Sequence, residues 1–263
     1  GDVDDESTVI VMPGDTPLLR AETIARLVQE HEKASNAVTL LTAELDEPYG
    51  YGRVLRGKDG SVVRVVEERD ASPAERAIRE VNTSIYAFKR GLLGPALRRI
   101  KNNNAQSEYY LTDVVEVLTS VGHRAGAMVA DAAEVTGVND RWQLALAERE
   151  LRARTNRSLL LAGVTMLDPR QTFIDVTVQI GRDVTLFPGV ILQGATSIGD
   201  GCVIGPSARL SNTQVGANCR IEQTTARDSV IGDDCEVGPY AFLPEGTKVE
   251  SGASTGAFYD GSR

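Results

Sequence analysis

A lone carboxylate stands where a ligand site could begin. The stretch "TVIVMPGDTPLL" reads as a buried strand over 8–12 that stops at Pro13-Gly14 and presents Asp15, with Pro17 stiffening the chain after it. An apolar run closed by Pro and Gly is an ordinary strand end. Asp15 there is either a turn former or helix cap, or a metal ligand at the carboxyl end of a sheet strand, where open α/β sheets bind their ligands. Four more short stretches could join it: "PYGYGR" with Gly52, "VVEERDA" with Glu67, "EVNTSIYAF" with Asn82 and "VTGVNDR" with Asn139. Taken singly, the first is a turn, Glu67 a solvated strand end and Asn82 a bulge.

Other chemistries are poorly represented. The chain holds neither G-x-x-x-x-G-K-[ST] nor a G-x-G-x-x-G opening a helix, and no H-E-x-x-H or G-x-S-x-G. The two histidines, His31 and His123, sit at helix-like or loop positions and read as surface or capping residues. The three cysteines, Cys202, Cys219 and Cys235, form no short-range pair, which argues against a disulfide framework or a zinc site.

The elements that would position these residues differ between the two halves. Up to about residue 160, strand patterns over 8–12, 37–43, 52–56, 62–67, 81–88 and 125–129 alternate with helical patterns over 21–35, 91–100, 112–120 and 141–156. Such alternation implies a layered sheet with helices on its faces. Asp140 is placed to cap the last helix, and Trp142 reads as a packing residue.

From Gly163 the rhythm changes. Apolar residues recur every six positions at Ile174, Ile180, Leu186, Leu192, Ile198, Ile204 and Leu210, then at Val215 and Ile221, then at Ile231, Val237, Leu243 and Val249. The residue two before each anchor is small or β-branched, and glycine follows many anchors, as in Ile198-Gly199. This hexapeptide repeat predicts a parallel β-helix of about four coils, with three hexapeptides to a coil. All three cysteines occupy the small-residue slot on one wall of successive coils, where Cys acts as a small apolar residue.

With 263 residues the chain has room for two domains. A net charge of −9 argues against broad binding to nucleic acid or acidic membranes. No run is long and apolar enough for a transmembrane helix. The first apolar run lies behind Asp2, Asp4, Asp5 and Glu6, the wrong flank for a secretory signal, so a cytoplasmic location is expected. Gly1 rather than Met opens the chain, as in a processed chain or a piece of a longer one.

Read together, these stretches resemble the bifunctional N-acetylglucosamine-1-phosphate uridyltransferase/glucosamine-1-phosphate acetyltransferase family, in an actinobacterial-looking version. The likeness runs from about residue 8 to 242 and is dense in "GDTPLL", "GYGRVLR", "VVEERDA", "EVNTSIYAF", "NNNAQSEYYLTDVVEVL" and "GVNDRWQLA". It implies an α/β nucleotidyltransferase (Rossmann-like) domain over 1–140, a linking helix over 141–161 and a left-handed parallel β-helix of hexapeptide repeats over 162–258. It also implies a homotrimer built through the β-helix. The activity implied is Mg2+-dependent uridylyl transfer from UTP to N-acetylglucosamine-1-phosphate, giving UDP-N-acetylglucosamine for peptidoglycan synthesis. By the same resemblance Asp15 and Asn139 are the catalytic pair and the Mg2+ ligands, Pro13 and Gly14 line their loop, Gly52 admits the sugar, and Glu67 and Asn82 hydrogen-bond it. Mg2+ keeps several waters and needs few protein oxygens when phosphates supply the rest.

The chain also departs from the family pattern. The family's glycine-rich nucleotide loop does not precede Gly1, so this chain alone is expected to be poorly active or inactive, with an exposed sheet edge. "AFLPEG" lacks the family's arginine, and no histidine follows His123, so no acetyltransferase activity is expected. Two other readings stay open: a non-catalytic sugar-nucleotide-binding or trimer-forming module, and a different sugar-1-phosphate nucleotidyltransferase.

Overall fold

The computed structural model describes residues 4–261. The chain divides into two units, Gly1–Ala147 and Glu148–Arg263. The first contains β1 (Thr8–Val11), α1 (Ala21–Lys33), β2 (Val38–Glu44), β3 (Arg53–Arg56), β4 (Val62–Val66), α2 (Pro73–Arg76), β5 (Glu80–Lys89), α3 (Arg90–Leu97), α4 (Asp113–Ser120), β6 (Ala125–Val129) and α5 (Ala132–Val135). A last helix, α6 (Arg141–Leu161), runs across the division.

The six strands form one sheet in the order β1-β5-β2-β6-β4-β3. β5 is antiparallel to both β1 and β2, and β2 is parallel to β6. So β1, β2 and β6 end at the same edge of the sheet, where β5 begins. Along β2, Val38 and Leu40 pack with Val114 and Leu118 of α4, while Leu41 and Ala43 pack with Leu27 of α1. Both faces are covered, so every residue from Val38 to Ala43 is buried. β1 is only half-buried, not the buried strand its composition suggested, because it has a single neighbour among the described residues.

Two readings of the sequence need correction, and two short helices were not foreseen. His31 is not a surface or capping residue. It lies four residues after Leu27 on the inner face of α1, is 4% exposed, and its Nδ1 is 3.0 Å from Thr39 Oγ1. Trp142 does not pack; it is 72% exposed at the outward side of the first turn of α6. The short helices α2 and α5 had no periodic signal because each is a single turn; α2 is held by a capping box between Ser72 and Glu75.

The second unit is a left-handed parallel β-helix. Among the described residues its rungs form three parallel sheets of five strands each, making five coils where the spacing suggested about four. Along one wall Met166, Leu186, Ile204, Ile221 and Val237 stack. A second wall stacks Ile174, Leu192, Leu210, Ala226 and Leu243, and the third Ile180, Ile198, Val215, Ile231 and Val249. Met166 and Ala226 are the anchors the hexapeptide count omitted. Ala226 is too small to read as an anchor, yet it is fully buried in register with Leu210.

The three cysteines are free, buried and stacked as expected. The Cys219 N–H donates to Cys202 Sγ at 3.3 Å, and the thiols of Cys202 and Cys219 donate to the carbonyls of Gly216 and Gly232 at 3.1 and 3.0 Å. Corner glycines are dictated by coil spacing: a Cβ on Gly199 would lie 2.6 Å from the carbonyl carbon and oxygen of Gly216 in the next coil. Among the described residues no helix is long and apolar enough to cross a membrane.

Candidate functional site

At the edge where β1, β2 and β6 end, the first unit has a cleft of about 390 Å³. Pro13, Asp15 and Thr16 follow β1, Tyr49, Gly50 and Tyr51 connect β2 to β3, Asn82, Thr83 and Ser84 come from the start of β5, and Val135, Gly137 and Asn139 come from the segment after β6. A cleft outside the carboxyl ends of parallel strands is the usual ligand position of an open α/β sheet.

Two loops far apart in the chain are tied together here. The Val138 N–H donates to the Asp15 carbonyl at 2.8 Å. Gly137 faces the Asp15 side chain, where even a Cβ would be 3.6 Å from Oδ2. The Asn139 N–H donates to Gln143 Oε1 at 2.6 Å, and the Gln143 N–H donates to Asp140 Oδ1 at 2.7 Å, so Asp140 caps α6 as its position suggested. The cap holds Asn139 at the cleft through its backbone. Among the described residues, neither the Asp15 carboxylate nor the Asn139 amide has a side-chain partner.

The floor is made by a break in β5. Opposite β2, the partner of Leu41 is Ile85 but that of Thr42 is Asn82, so Thr83 and Ser84 are extra, and Ser84 takes φ 62°. Such a bulge re-aims side chains. Asn82 is 5% exposed; its Nδ2 donates to the Tyr86 hydroxyl at 2.8 Å, while its Oδ1 has no partner. Thr16 Oγ1, also in the cleft, is buried without a partner as well. Two orphaned buried polar atoms in one cleft are unusual and suit a polar ligand.

The Tyr49–Tyr51 wall is pinned from behind. Arg53, 2% exposed, donates to the Tyr51 carbonyl and to Glu68 Oε2, the latter at 2.7 Å. The Gly50 N–H reaches the same Glu68 oxygen at 3.4 Å. Burial works against ionisation of Glu68, but its hydrogen bond and charge pairing with Arg53 hold it below the usual carboxylate range.

The remaining expected site residues fall elsewhere. Gly52 lies behind Tyr51, its carbonyl accepting the Asn82 N–H at 2.8 Å. A Cβ on Gly52 would lie 3.3 Å from both Glu67 oxygens. Glu67 itself lines a neighbouring cavity of about 400 Å³ with Asp70, Lys101, Asn104, Tyr110 and Asp113. Burial pushes its carboxyl above the usual range; the Thr112 hydroxyl, donating at 3.0 Å, opposes this, and the charges of Asp113 and Asp70 reinforce it. Gly14 does not line the cleft. The structure thus gathers Pro13, Asp15, Asn82 and Asn139 in one cleft, sets Gly52 and Glu67 beside it, and leaves Gly14 out. Tyr49, Tyr51, Ser84, Tyr86 and the Arg53–Glu68 pair were missed, because each acts through tertiary contact with no motif of its own; only the doubled Tyr-Gly of "PYGYGR" offered a signal.

The donors suit a hard divalent cation. Asp15 and Asn139 offer oxygens only, with no nitrogen or sulfur ligand lining the cleft. Among the described residues no group of three His, Cys, Asp or Glu could enclose a metal. Two oxygens are enough for Mg2+ that keeps waters and phosphate oxygens, and too few for a closed protein cage.

Comparisons with known proteins match both parts of the chain. A family model described as nucleotidyl transferase matches residues 2–144, and one described as bacterial transferase hexapeptide (six repeats) matches 177–212. Proteins named "Bifunctional protein GlmU" are similar along almost the whole chain. The Streptomyces avermitilis protein is 46% identical over 257 residues, which cover 97% of this chain and 53% of that protein. The Mycobacterium marinum protein is 47% identical, covering 96% and 51%, and that of Caldanaerobacter subterraneus 42%, covering 90% and 52%. The chain spans about half the length of these curated relatives. A sheet carrying the cleft, followed by hexapeptide coils, and similarity along both parts lead to one conclusion: the chain belongs to the nucleotidyl transferase family, and is GlmU-like in joining that domain to a hexapeptide β-helix.

Proposed function

We propose that this chain supplies the sugar-phosphate and metal side of uridylyl transfer from UTP to N-acetylglucosamine-1-phosphate, forming UDP-N-acetylglucosamine and pyrophosphate. The observation that carries this reading is the meeting of Asp15 and Asn139 in one cleft, with the unpartnered Asn82 Oδ1 and Thr16 Oγ1 beside them. In the reaction a phosphate oxygen of the sugar phosphate attacks the α-phosphorus of UTP. The bond from that phosphorus to the bridging oxygen of the β-phosphate breaks, and pyrophosphate leaves with the electron pair. Asp15 and Asn139 would hold Mg2+, which when bound neutralises phosphate charge and aligns the groups in line. In this reading Asn82 Oδ1 accepts a hydrogen bond from the sugar, and Glu67, which borders Gly52 from the neighbouring cavity, accepts another. Tyr49 and Tyr51 wall the cleft and restrict water.

The β-helix supports a homotrimeric assembly, since its flat walls leave large apolar side chains half-exposed: Phe173 and Phe242 on the first and last rungs of one wall, and Val230 on another. Free buried thiols fit a reducing compartment, which supports a cytoplasmic location.

Calorimetric titration of the chain with N-acetylglucosamine-1-phosphate and with UDP-N-acetylglucosamine, with and without Mg2+, tests the reading. Both ligands are expected to bind in a Mg2+-dependent way, and Asp15→Asn is expected to remove that dependence. Unchanged binding by Asp15→Asn would make Asp15 a turn residue only. Preference for ADP-glucose or GDP-mannose would move the chain to another sugar-1-phosphate branch. Binding without turnover on addition of UTP would favour a non-catalytic module.

A further inference from the structure

Within the cleft, Asn82 offers an amide whose two ends carry opposite hydrogen-bonding character. Which end faces a ligand decides what the cleft can accept. Asn82 is only 5% exposed, so neither end of its amide can turn freely to water.

Tyr86 makes that choice. It is 1% exposed on the α4-facing side of the sheet and stacks on Phe88 at 5.3 Å. A hydroxyl carried into an apolar layer requires a partner. In a regular strand, side chains four residues apart are separated by roughly 13 Å and cannot meet. Here the bulge at Thr83 and Ser84, with Ser84 in the left-handed region, shortens β5 and brings Asn82 Nδ2 within 2.8 Å of the Tyr86 oxygen. The hydroxyl fixes the donor end of the Asn82 amide through one of its two N–H groups and leaves Oδ1 buried without a partner.

We propose that Tyr86 is a positioning residue that locks the Asn82 amide with its oxygen toward the ligand, so that this part of the cleft selects a sugar O–H or amide N–H donor. The inference rests on the sugar-phosphate reading above for its ligand, but its geometry stands on the free protein. A ligand presenting only acceptors here would face a carbonyl oxygen and lose a hydrogen bond. Tyr86 touches no ligand in this scheme; it acts through Asn82.

Tyr86→Phe removes one oxygen and keeps the ring and its stacking on Phe88. In 15N-labelled free protein, the Asn82 side-chain NH2 pair, assigned by its loss in Asn82→Ala, is expected to exchange slowly in the wild type and at least tenfold faster in Tyr86→Phe. Equal exchange in the two would overturn the locking whether or not any sugar binds. In Mg2+, affinity for N-acetylglucosamine-1-phosphate is expected to fall roughly five- to thirtyfold in Tyr86→Phe, as when a buried donor loses its partner. In the Asn82→Ala background the same substitution should change affinity less than twofold, since the group it positions is gone. Additive losses would assign Tyr86 a general structural role and reject the proposal. Absence of sugar-phosphate binding by the wild type would overturn the proposed function and the selectivity, leaving the exchange measurement to decide the locking.

Discussion

Replacing Gly52 by alanine places a methyl group where the structure has almost no room. The new Cβ would lie 2.9 Å from Val65 Cγ1 and 3.3 Å from each Glu67 oxygen. Val65 is 6% exposed on β4, and a β-branched side chain there has little rotameric freedom with which to retreat. Overpacking of this kind costs about 1–3 kcal/mol. Loss of glycine's freedom in the unfolded chain returns about 0.4–1 kcal/mol. The net expectation is a destabilisation of about 1–2 kcal/mol, or a fall of roughly 3–8 °C in the melting of the first unit. Glu67 must also give way, so affinity for N-acetylglucosamine-1-phosphate should fall about tenfold, the loss of one hydrogen bond to a charged group. Gly14 is the control. A Cβ there has no atom within 4 Å and its φ is ordinary. Gly14→Ala should leave binding unchanged and stabilise by about 0.4–1 kcal/mol. Differential scanning calorimetry and titration of both variants decide the matter. The reasoning fails if Gly52→Ala is as stable as the wild type and binds as well, or if Gly14→Ala is equally harmful.

Three further outcomes are expected. Leu210→Ala removes a fully buried anchor next to Ala226, where the wall is already thin, and should cost the β-helix about 3–5 kcal/mol in urea unfolding; a loss below about 1 kcal/mol would show that the rungs collapse to fill the gap. Burial lowers the His31 pKa from its ordinary 6.5, only partly offset by Glu32, so the folded state binds its proton less readily than the unfolded chain. Its contribution to stability is therefore present above pH 6.5 and lost as pH falls below it; His31→Gln should flatten this part of the pH–stability profile, and an unchanged slope would assign it to other groups. The three buried thiols should react with a thiol reagent only on unfolding, and rapid modification of any one in the native protein would contradict the stacked arrangement.

The second unit was largely legible because its information is local. Each anchor lies six residues from the next, and the rung it makes needs no distant partner to be recognised. The count failed only at Ala226, which has the position of an anchor without its size, and at Met166, which precedes the regular spacing. In the first unit, strand and helix positions followed from periodicity to within a few residues. Their burial did not: His31 looked like a polar surface residue and Trp142 like a core residue, and each proved the reverse. A helical wheel shows which residues share a face, but the sheet decides which face is covered.

The amino-acid sequence alone determined that an α/β layer precedes a β-helix, that the cysteines form a ladder, and which short stretches are candidates for site chemistry. All of these are patterns among neighbours in the chain. Only the tertiary structure decided that Asp15 and Asn139 share a cleft, that Gly14 stands outside it, and that Asn82 and Tyr86 meet across a bulge. Those outcomes depend on the strand order β1-β5-β2-β6 and on one left-handed serine. Strand order reflects the packing of both sheet faces at once, and no local periodicity encodes it.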